Sequence, residues 1–433
     1  MAEVLSAEWM QREDLAALVV ALGAGNARYV GGAVRDTLLG IAVKDIDIAT
    51  PLVPADVIDR LKTAQIRSVP TGIEHGTVTA ILPGGPVEIT TLRHDVSTDG
   101  RRATVAFATE WQDDAARRDF TINALYADPA SGEVFDWFGG LADLAARRLR
   151  FIGDARQRIR EDHLRILRYF RFQARFGSQP ADPEAEQACT DLAATLKGLS
   201  RERVGMEMLN LLGLPDPAPT VQRMAELAVL PVVLPEADPA ALAALVVHEA
   251  RQGIAPDAIR RLAALLPADP ALAEKVASRF RLSGAQKKRL TLAAARFLPA
   301  TGRGTILNSF QDGGGAQANN APPVLGHVPL HHPADGPPPR AGEEHSARAL
   351  AYRLGRESAL DRLLLTGVDT APLHGWDIPT FPLKGGDIVA HGIGAGPDVA
   401  RILRAVEARW VAEGFPDAER VSALLDEALS EAG

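Results

Sequence analysis

The chain has 433 residues, 46% hydrophobic and 24% charged, enough for two or more globular domains, and no uncharged apolar run reaches membrane-spanning length. Its single cysteine, Cys189, excludes an internal disulfide and fits a reducing compartment. The formal net charge of −8 argues against binding nucleic acid over the whole surface, yet residues 147–175 carry ten arginines against Asp154, Glu161 and Asp162, a local balance of +7. Such a stripe is either a face that meets an anion or a solvated helix surface.

The N-terminus carries Glu3, Glu8, Glu13 and Asp14 and no basic segment ahead of an apolar run, so no signal peptide is expected and the reading is cytoplasmic. Leu15, Leu18, Val19 and Leu22 follow helical spacing. ARYV before Gly31 reads as a short strand, AVRDTLLG as a helix start, and KDIDIAT as a strand with Ile46 and Ile48 on one face and Asp45 and Asp47 on the other. VTAILPGGPVEITTLR reads as a hairpin whose second strand carries Glu88, and ATVAF as a further strand. Residues from about 25 to about 130 thus form a small mixed α/β domain.

Beyond about residue 140 the signal is almost all helical. DARQRIREDHLRILRYFRFQARF reads as one long helix with a buried face of Ile159, Leu164, Ile166, Leu167, Phe170 and Phe172. Residues 302–343 break the pattern: they are rich in Gly, Pro and Ala and read as a disordered insert or linker. The paired His331 and His332 there read as part of a polar loop rather than a metal site. A helix resumes near His345, and a Gly-rich turn after Lys384 leads into an amphipathic helix.

Residues i and i+2 of a strand share a face, so Asp45 and Asp47 present two carboxylates together. Hard oxygen ligands so placed suit Mg²⁺, which keeps waters and bridges to substrate phosphates. Glu88 is a candidate third carboxylate, holding metal or accepting a proton. Gly31 and Gly32, between a strand and a helix, let backbone approach an anion, and Arg35 lies one turn further in. Taken alone, the D-x-D is a solvated strand face and the Gly-Gly an ordinary turn; a cradle and carboxylates within about twenty residues suit a triphosphate with Mg²⁺. His94-Asp95 has no partner histidine motif and reads as a turn; His75 reads as a capping or packing residue.

GGAVRD followed by DID resembles the nucleotidyltransferase signature of the DNA polymerase beta superfamily. More narrowly it resembles the class II tRNA nucleotidyltransferase (CCA-adding enzyme) and bacterial poly(A) polymerase family. HGTVTAIL with VEITTLR, RRDFTINALYAD, REDHLRILRYFRF and RERVGMEM, with Glu202, Arg203 and Glu207, are similar to further blocks in the same order over residues 25–215. PLKGGDIVAHGIGAGP resembles the tail of some members.

The resemblance implies an α+β protein: a small mixed-sheet palm domain over residues 1–135, a helical neck with a nucleotide-reading helix over 136–215, a helical body over 216–301, the insert at 302–343 and an RNA-binding tail over 344–433. It implies Mg²⁺-dependent addition of C and A from CTP and ATP to the tRNA 3′ end, with the acceptor stem bound by the helical remainder. Asp45 and Asp47 would hold metal, with Glu88 beside them. Gly31, Gly32 and Arg35 would cradle phosphates, while Arg117, Arg118, Asp119 and Asn123 would orient ribose and phosphates. Arg168 and Arg171 would reach the triphosphate.

Asp162 and Arg165 would read the base. C and A each offer an amine donor beside a ring-nitrogen acceptor, matching a carboxylate and a guanidinium; U and G present the reverse order. Taken alone, the two residues are equally a surface ion pair. Three other outcomes stay open. A poly(A) polymerase would carry a basic, aromatic-rich segment after the D-x-D, which LKTAQIRSVPTGIEHGTV lacks. CC-only or A-only addition would be decided by a flexible loop near residues 50–75. A non-catalytic RNA binder would have lost a carboxylate.

Overall fold

The computed structural model describes residues 3–98, 103–295 and 341–431. The chain divides into two compact units: Met1–Val246 with Pro256–Pro267 and Glu274–Lys287, and Val247–Ala255 with Ala268–Ala273 and Lys288–Gly433.

The first unit is built on a seven-stranded mixed sheet. Its strands are β1 (Arg28–Val30), β2 (Ile46–Thr50), β3 (Ser68–Gly72), β4 (Thr77–Leu82), β5 (Gly85–Thr91), β8 (Leu125–Ala127) and β9 (Val134–Asp136). The order is β3-β4-β5-β2-β1-β8-β9. β2 and β5 pair in parallel, and every other neighbouring pair is antiparallel. The expected hairpin is β4–β5, closed by Pro83 and Gly84. β6 (Arg93–Thr98) and β7 (Ala103–Phe107) form a separate two-stranded ribbon that contains His94. Ile48, Val78, Ala80, Val87 and Ile89 are buried on these strands, as alternation demands.

Helix α1 (Glu13–Leu22) buries Leu15, Leu18 and Leu22 completely, worth about 2 kcal/mol for each leucine. α2 (Gly32–Leu38) follows β1 directly, and α3 (Pro54–Thr63) packs with α1 and against β3 and β4. The loop expected near residues 50–75 is therefore absent: α3, β3 and a short 3₁₀ turn occupy that stretch. Pro54 in the first turn of α3 explains the start, since a missing N–H costs nothing there.

Next come α4 (Trp111–Ala116), α5 (Gly140–Ala145), α6 (Ala155–Glu161), α7 (Arg165–Phe176), α8 (Pro183–Leu192) and α9 (Arg201–Leu212). The single long helix expected over 154–176 is in fact two, α6 and α7. Asp162 takes an extended backbone (φ −148°, ψ 105°), and its Oδ1 accepts the Leu164 N–H at 3.1 Å. A short carboxylate competes for backbone donors and breaks the helix where apolar periodicity alone runs on. Helices α10 (Ala218–Glu226) and α11 (Leu230–Val233) complete this part.

Helices α12 (Pro239–Arg251), α13 (Ala258–Leu265), α14 (Pro270–Arg279) and α15 (Gly284–Ala294) run on to the insert. Residues 302–340 of that insert, with His331 and His332, lie outside the described residues. In the second unit, α16 (Ala341–Leu354) and α17 (Arg356–Leu365) pack through Ala347, Ala351, Ala359 and Leu363. Asp361, fully buried, receives Arg289 through Nε and Nη2 at 2.7 and 2.9 Å. The expected Gly-rich turn joins α18 (Gly385–Ala390) to α19 (Pro397–Ala412), which packs with α20 (Ala418–Ser430) around Val406, Trp410 and Leu424. Among the described residues, no helix is long and apolar enough to cross a membrane.

Candidate active site

The parallel pairing of β2 with β5 brings together residues distant in the chain: Asp47 and Glu88 are register partners on adjacent strands. Asp45 stands exposed just before β2, Glu88 is exposed, and Asp47 is half-buried between them. Burial, and then the neighbouring charges of Glu88 and Asp45, push the Asp47 carboxyl up from 3.8 to about 6; Arg118 pulls the other way. Among the described residues no ready-made cluster of three or more His, Cys, Asp or Glu ligands occurs. The acidic set fits a hard divalent ion that takes part of its shell from water and phosphate oxygens, and such an ion would relieve the repulsion that raises Asp47.

Beside the carboxylates lies the turn at Gly31, at the N-terminal edge of α2. Gly31 has φ 66° and ψ −116°, a conformation closed to residues with a Cβ. A Cβ built there would fall 3.4 Å from Nη1 of Arg118, so the turn and that guanidinium face each other closely. Arg118 donates through Nε to the Tyr126 hydroxyl at 2.9 Å and through Nη2 to Asp114 at 3.1 Å. Asp114, on α4 and 1% exposed, also accepts from the Tyr126 hydroxyl (2.5 Å), from Nε and Nη2 of Arg117 (2.9 and 2.6 Å) and from the Arg93 N–H (3.1 Å). Burial opposes its charge, but Arg118 and Arg117 prevail and hold it down at about 2. Asp114 and Tyr126 escaped the sequence reading. The available signal was spacing: Asp114 precedes Arg117 and Arg118 by three and four, one helical turn.

Several expected phosphate and ribose groups are engaged within the protein. Arg35, 6% exposed, donates to Asp36 (2.8 Å) and to Asn123 Oδ1 (2.5 Å) and lies over the ring of Phe176. Asn123 passes the chain on to Asp119 Oδ1 at 3.0 Å. Asp119 Oδ2 accepts Nε and Nη2 of Arg168 at 2.9 and 2.6 Å. Burial would raise the Asp119 carboxyl, but Arg168 and Asn123 outweigh it and hold it at about 2. Arg35, Asn123, Asp119 and Arg168 therefore form one relay from the glycine turn to α7. Arg35 is a strut of that relay rather than the free cation its position suggested, and Gly32 lies beside it. Arg171 donates to Glu207 at 2.6 Å, which turns it toward α9.

Asp162 and Arg165 do not pair with each other. Asp162 Oδ2 accepts from Arg203 at 2.7 Å. Arg165 uses Nη1 on Glu161 (2.6 Å) and the Arg158 carbonyl (2.9 Å), and Nη2 on the Arg117 carbonyl (3.0 Å). The two do not share a helix face, because Asp162 sits in the break and Arg165 opens α7. Of the ten arginines in the basic stripe, eight hold carboxylates of this chain: Arg148, Arg150, Arg156, Arg158, Arg165, Arg168, Arg171 and Arg175.

Residues 27–150 match the family described as poly A polymerase head domain, and residues 181–241 the one described as probable RNA and SrmB-binding site of polymerase A. The mitochondrial CCA tRNA nucleotidyltransferase 1 of Mus musculus is 33% identical over 395 residues, covering 90% of this chain and 83% of that protein. The crystal structure of the Bacillus stearothermophilus CCA-adding enzyme in complex with CTP is 25% identical with a TM-score of 0.65, over 97% of this chain and 98% of that one. The Thermotoga maritima CCA-adding enzyme complexed with tRNA_CCA, 20% identical, shares the fold with a TM-score of 0.61 over 94% and 92%. A mixed sheet with this acidic centre and a helical continuation is that of a nucleotidyltransferase. The chain belongs to the CCA tRNA nucleotidyltransferase family.

Proposed function

We propose that this chain extends the 3′ end of tRNA, adding C and A from CTP and ATP without a nucleic-acid template and releasing pyrophosphate. The observation that carries the reading is the pairing of Asp47 with Glu88 beside Asp45: the acidic centre is intact, which a purely RNA-binding relative has no reason to keep. Asp45 and Asp47 would hold Mg²⁺, with Glu88 in support. When bound, the ion neutralises charge on the triphosphate and on the leaving pyrophosphate.

The protein's own groups supply the rest. Nη1 of Arg118 faces the Gly31 turn and would donate to a phosphate oxygen there. Glu88, exposed beside Asp47, would accept the proton of the attacking 3′ hydroxyl. Asp162, with two bonds made, keeps lone pairs for the exocyclic amine of C or A. Arg165 keeps its Nε proton and one Nη2 proton for the neighbouring ring nitrogen. A base of the reverse polarity leaves those groups unpaired, which is how a protein surface selects without a template. The fully buried Cys189 suits a reducing compartment; we favour the cytoplasm.

Purified protein with Mg²⁺, labelled CTP or ATP, and tRNA transcripts ending before C, CC or CCA tests the reading. Addition limited to the missing nucleotides is expected. Long A tails would instead assign a poly(A) polymerase, truncated products a CC-only or A-only enzyme, and no product a binder.

A further inference from the structure

We infer that Asp114 is a positioning residue for nucleotidyl transfer: with Tyr126 it clamps the guanidinium of Arg118 at the Gly31 turn, where that guanidinium meets the phosphate chain of the incoming nucleoside triphosphate. The inference rests on the reaction proposed above and adds two residues to its machinery. The clamp is a closed triangle. Asp114 Oδ2 accepts both the Tyr126 hydroxyl at 2.5 Å and Arg118 Nη2 at 3.1 Å, while Arg118 Nε donates to the same hydroxyl at 2.9 Å. Arg118 also lies over the Tyr126 ring, 5.2 Å from its centroid.

A guanidinium held on one edge by two acceptors cannot rotate, so its remaining nitrogen, Nη1, has a fixed direction. That direction is toward Gly31, where a Cβ would stand 3.4 Å from Nη1. Gly31 directly follows β1, and β1 pairs with β2, where Tyr29 stands opposite Ile48, so the turn that Arg118 faces lies at the end of the strand next to the one that carries Asp47. The triangle is tied to the sheet on two sides. Tyr126 belongs to β8, and the Arg93 N–H that binds Asp114 at 3.1 Å comes two residues after the end of the strand that carries Glu88. Asp114 thereby sets the phosphate-facing arginine in register with the strands that carry the carboxylates. Fixed charge of this kind acts on the transition state without reorganising, and losing its aim costs rate even when the arginine remains.

The test uses the full-length protein and four variants: Asp114→Asn, Arg118→Ala, the double variant, and Tyr126→Phe. Steady-state kcat and KM for CTP are measured with a tRNA ending before C, beside tRNA affinity by filter binding and thermal melting. Asp114→Asn is expected to lower kcat/KM for CTP roughly tenfold to a hundredfold with tRNA affinity unchanged. The double variant is expected to lose no more than Arg118→Ala alone, because one residue acts through the other. Losses that multiply, an equal fall in tRNA affinity, or wild-type kinetics in Asp114→Asn would overturn the inference. If Asp114→Asn does not fold, Tyr126→Phe decides. It keeps the buried ring, and a several-fold fall in kcat/KM supports the clamp while wild-type kinetics sinks it. A wild-type protein that incorporates neither CTP nor ATP would instead overturn the reaction itself.

Discussion

Arg203, on α9, donates through Nη2 to Asp162 Oδ2 at 2.7 Å, so the carboxylate assigned to base reading, in the break between α6 and α7, is steadied from a neighbouring helix. Arg203 and Asp162 side chains are 40% and 31% exposed, and such a pair contributes at most about 0.5 kcal/mol to folding. Arg203→Ala should therefore melt close to wild type, yet lower kcat/KM for CTP and ATP about fivefold and admit more UTP. Competition between labelled CTP and UTP checks this; unchanged discrimination would mean that Asp162 needs no steadying.

The acidic centre makes a pH-dependent prediction. A carboxyl raised from 3.8 to about 6 binds its proton more tightly folded than unfolded, so its ionisation costs stability as pH rises from about 4 to about 6. In EDTA at pH 7.5, Asp47→Asn should be more stable than wild type by on the order of 1 kcal/mol, a gain that disappears by about pH 4. Mn²⁺ affinity of the wild type should be about tenfold weaker at pH 5 than at pH 7.5, since the ion competes with that proton. Denaturation curves and metal titration read both effects; a destabilising Asp47→Asn at pH 7.5 would contradict the assignment.

Asp119 behaves oppositely. Its carboxyl is held at about 2, so it contributes stability that is present above the unfolded value of 3.8 and lost as pH falls through about 2. Asp119→Asn should cost about 2 kcal/mol at pH 7, because Arg168 loses its nearer carboxylate and the buried relay to Asn123 is cut; the one-third exposure of Arg168, and Glu207 at 3.8 Å, keep the loss below that of a fully buried pair. Urea unfolding should show the difference narrowing between pH 4 and pH 3.

Gly205 lies on α9 inside the RERVGMEM block. A Cβ there would stand 2.7 Å from both the Cβ and the carbonyl oxygen of Phe280, whose ring is buried. Backbone cannot yield as a flexible side chain does, so Gly205→Ala should destabilise by about 2 kcal/mol despite the better helix propensity of alanine. A melting temperature at or above wild type would show that the helices part easily.

The palm sheet was legible in the sequence because its strands alternate cleanly and its turns carry Gly and Pro: β2, β4 and β5 lie where KDIDIAT and VTAILPGGPVEITTLR put them. The break between α6 and α7 was hidden, since Ile159, Leu164 and Ile166 keep apolar spacing across it and only the local bonding of Asp162 interrupts the backbone. The carboxylates were legible as residue types, but the adjacency of Asp47 and Glu88 depends on a parallel pairing that no short-range pattern encodes. Arginines were the least legible. Their charge shows in the sequence; whether a carboxylate such as Asp119 or Glu207 has already claimed it depends on tertiary packing.

That engagement of the basic stripe bears on how the enzyme would leave its product. Only Arg147 and Arg160 of the ten remain outside the ion pairs described. Association of this segment with an RNA backbone would thus displace few condensed counterions, giving a slope of log affinity on log salt of roughly −2 where ten independent cations would give roughly −9. Contact with RNA through this segment would then depend only weakly on ionic strength, which suits a surface that must let go of a finished end.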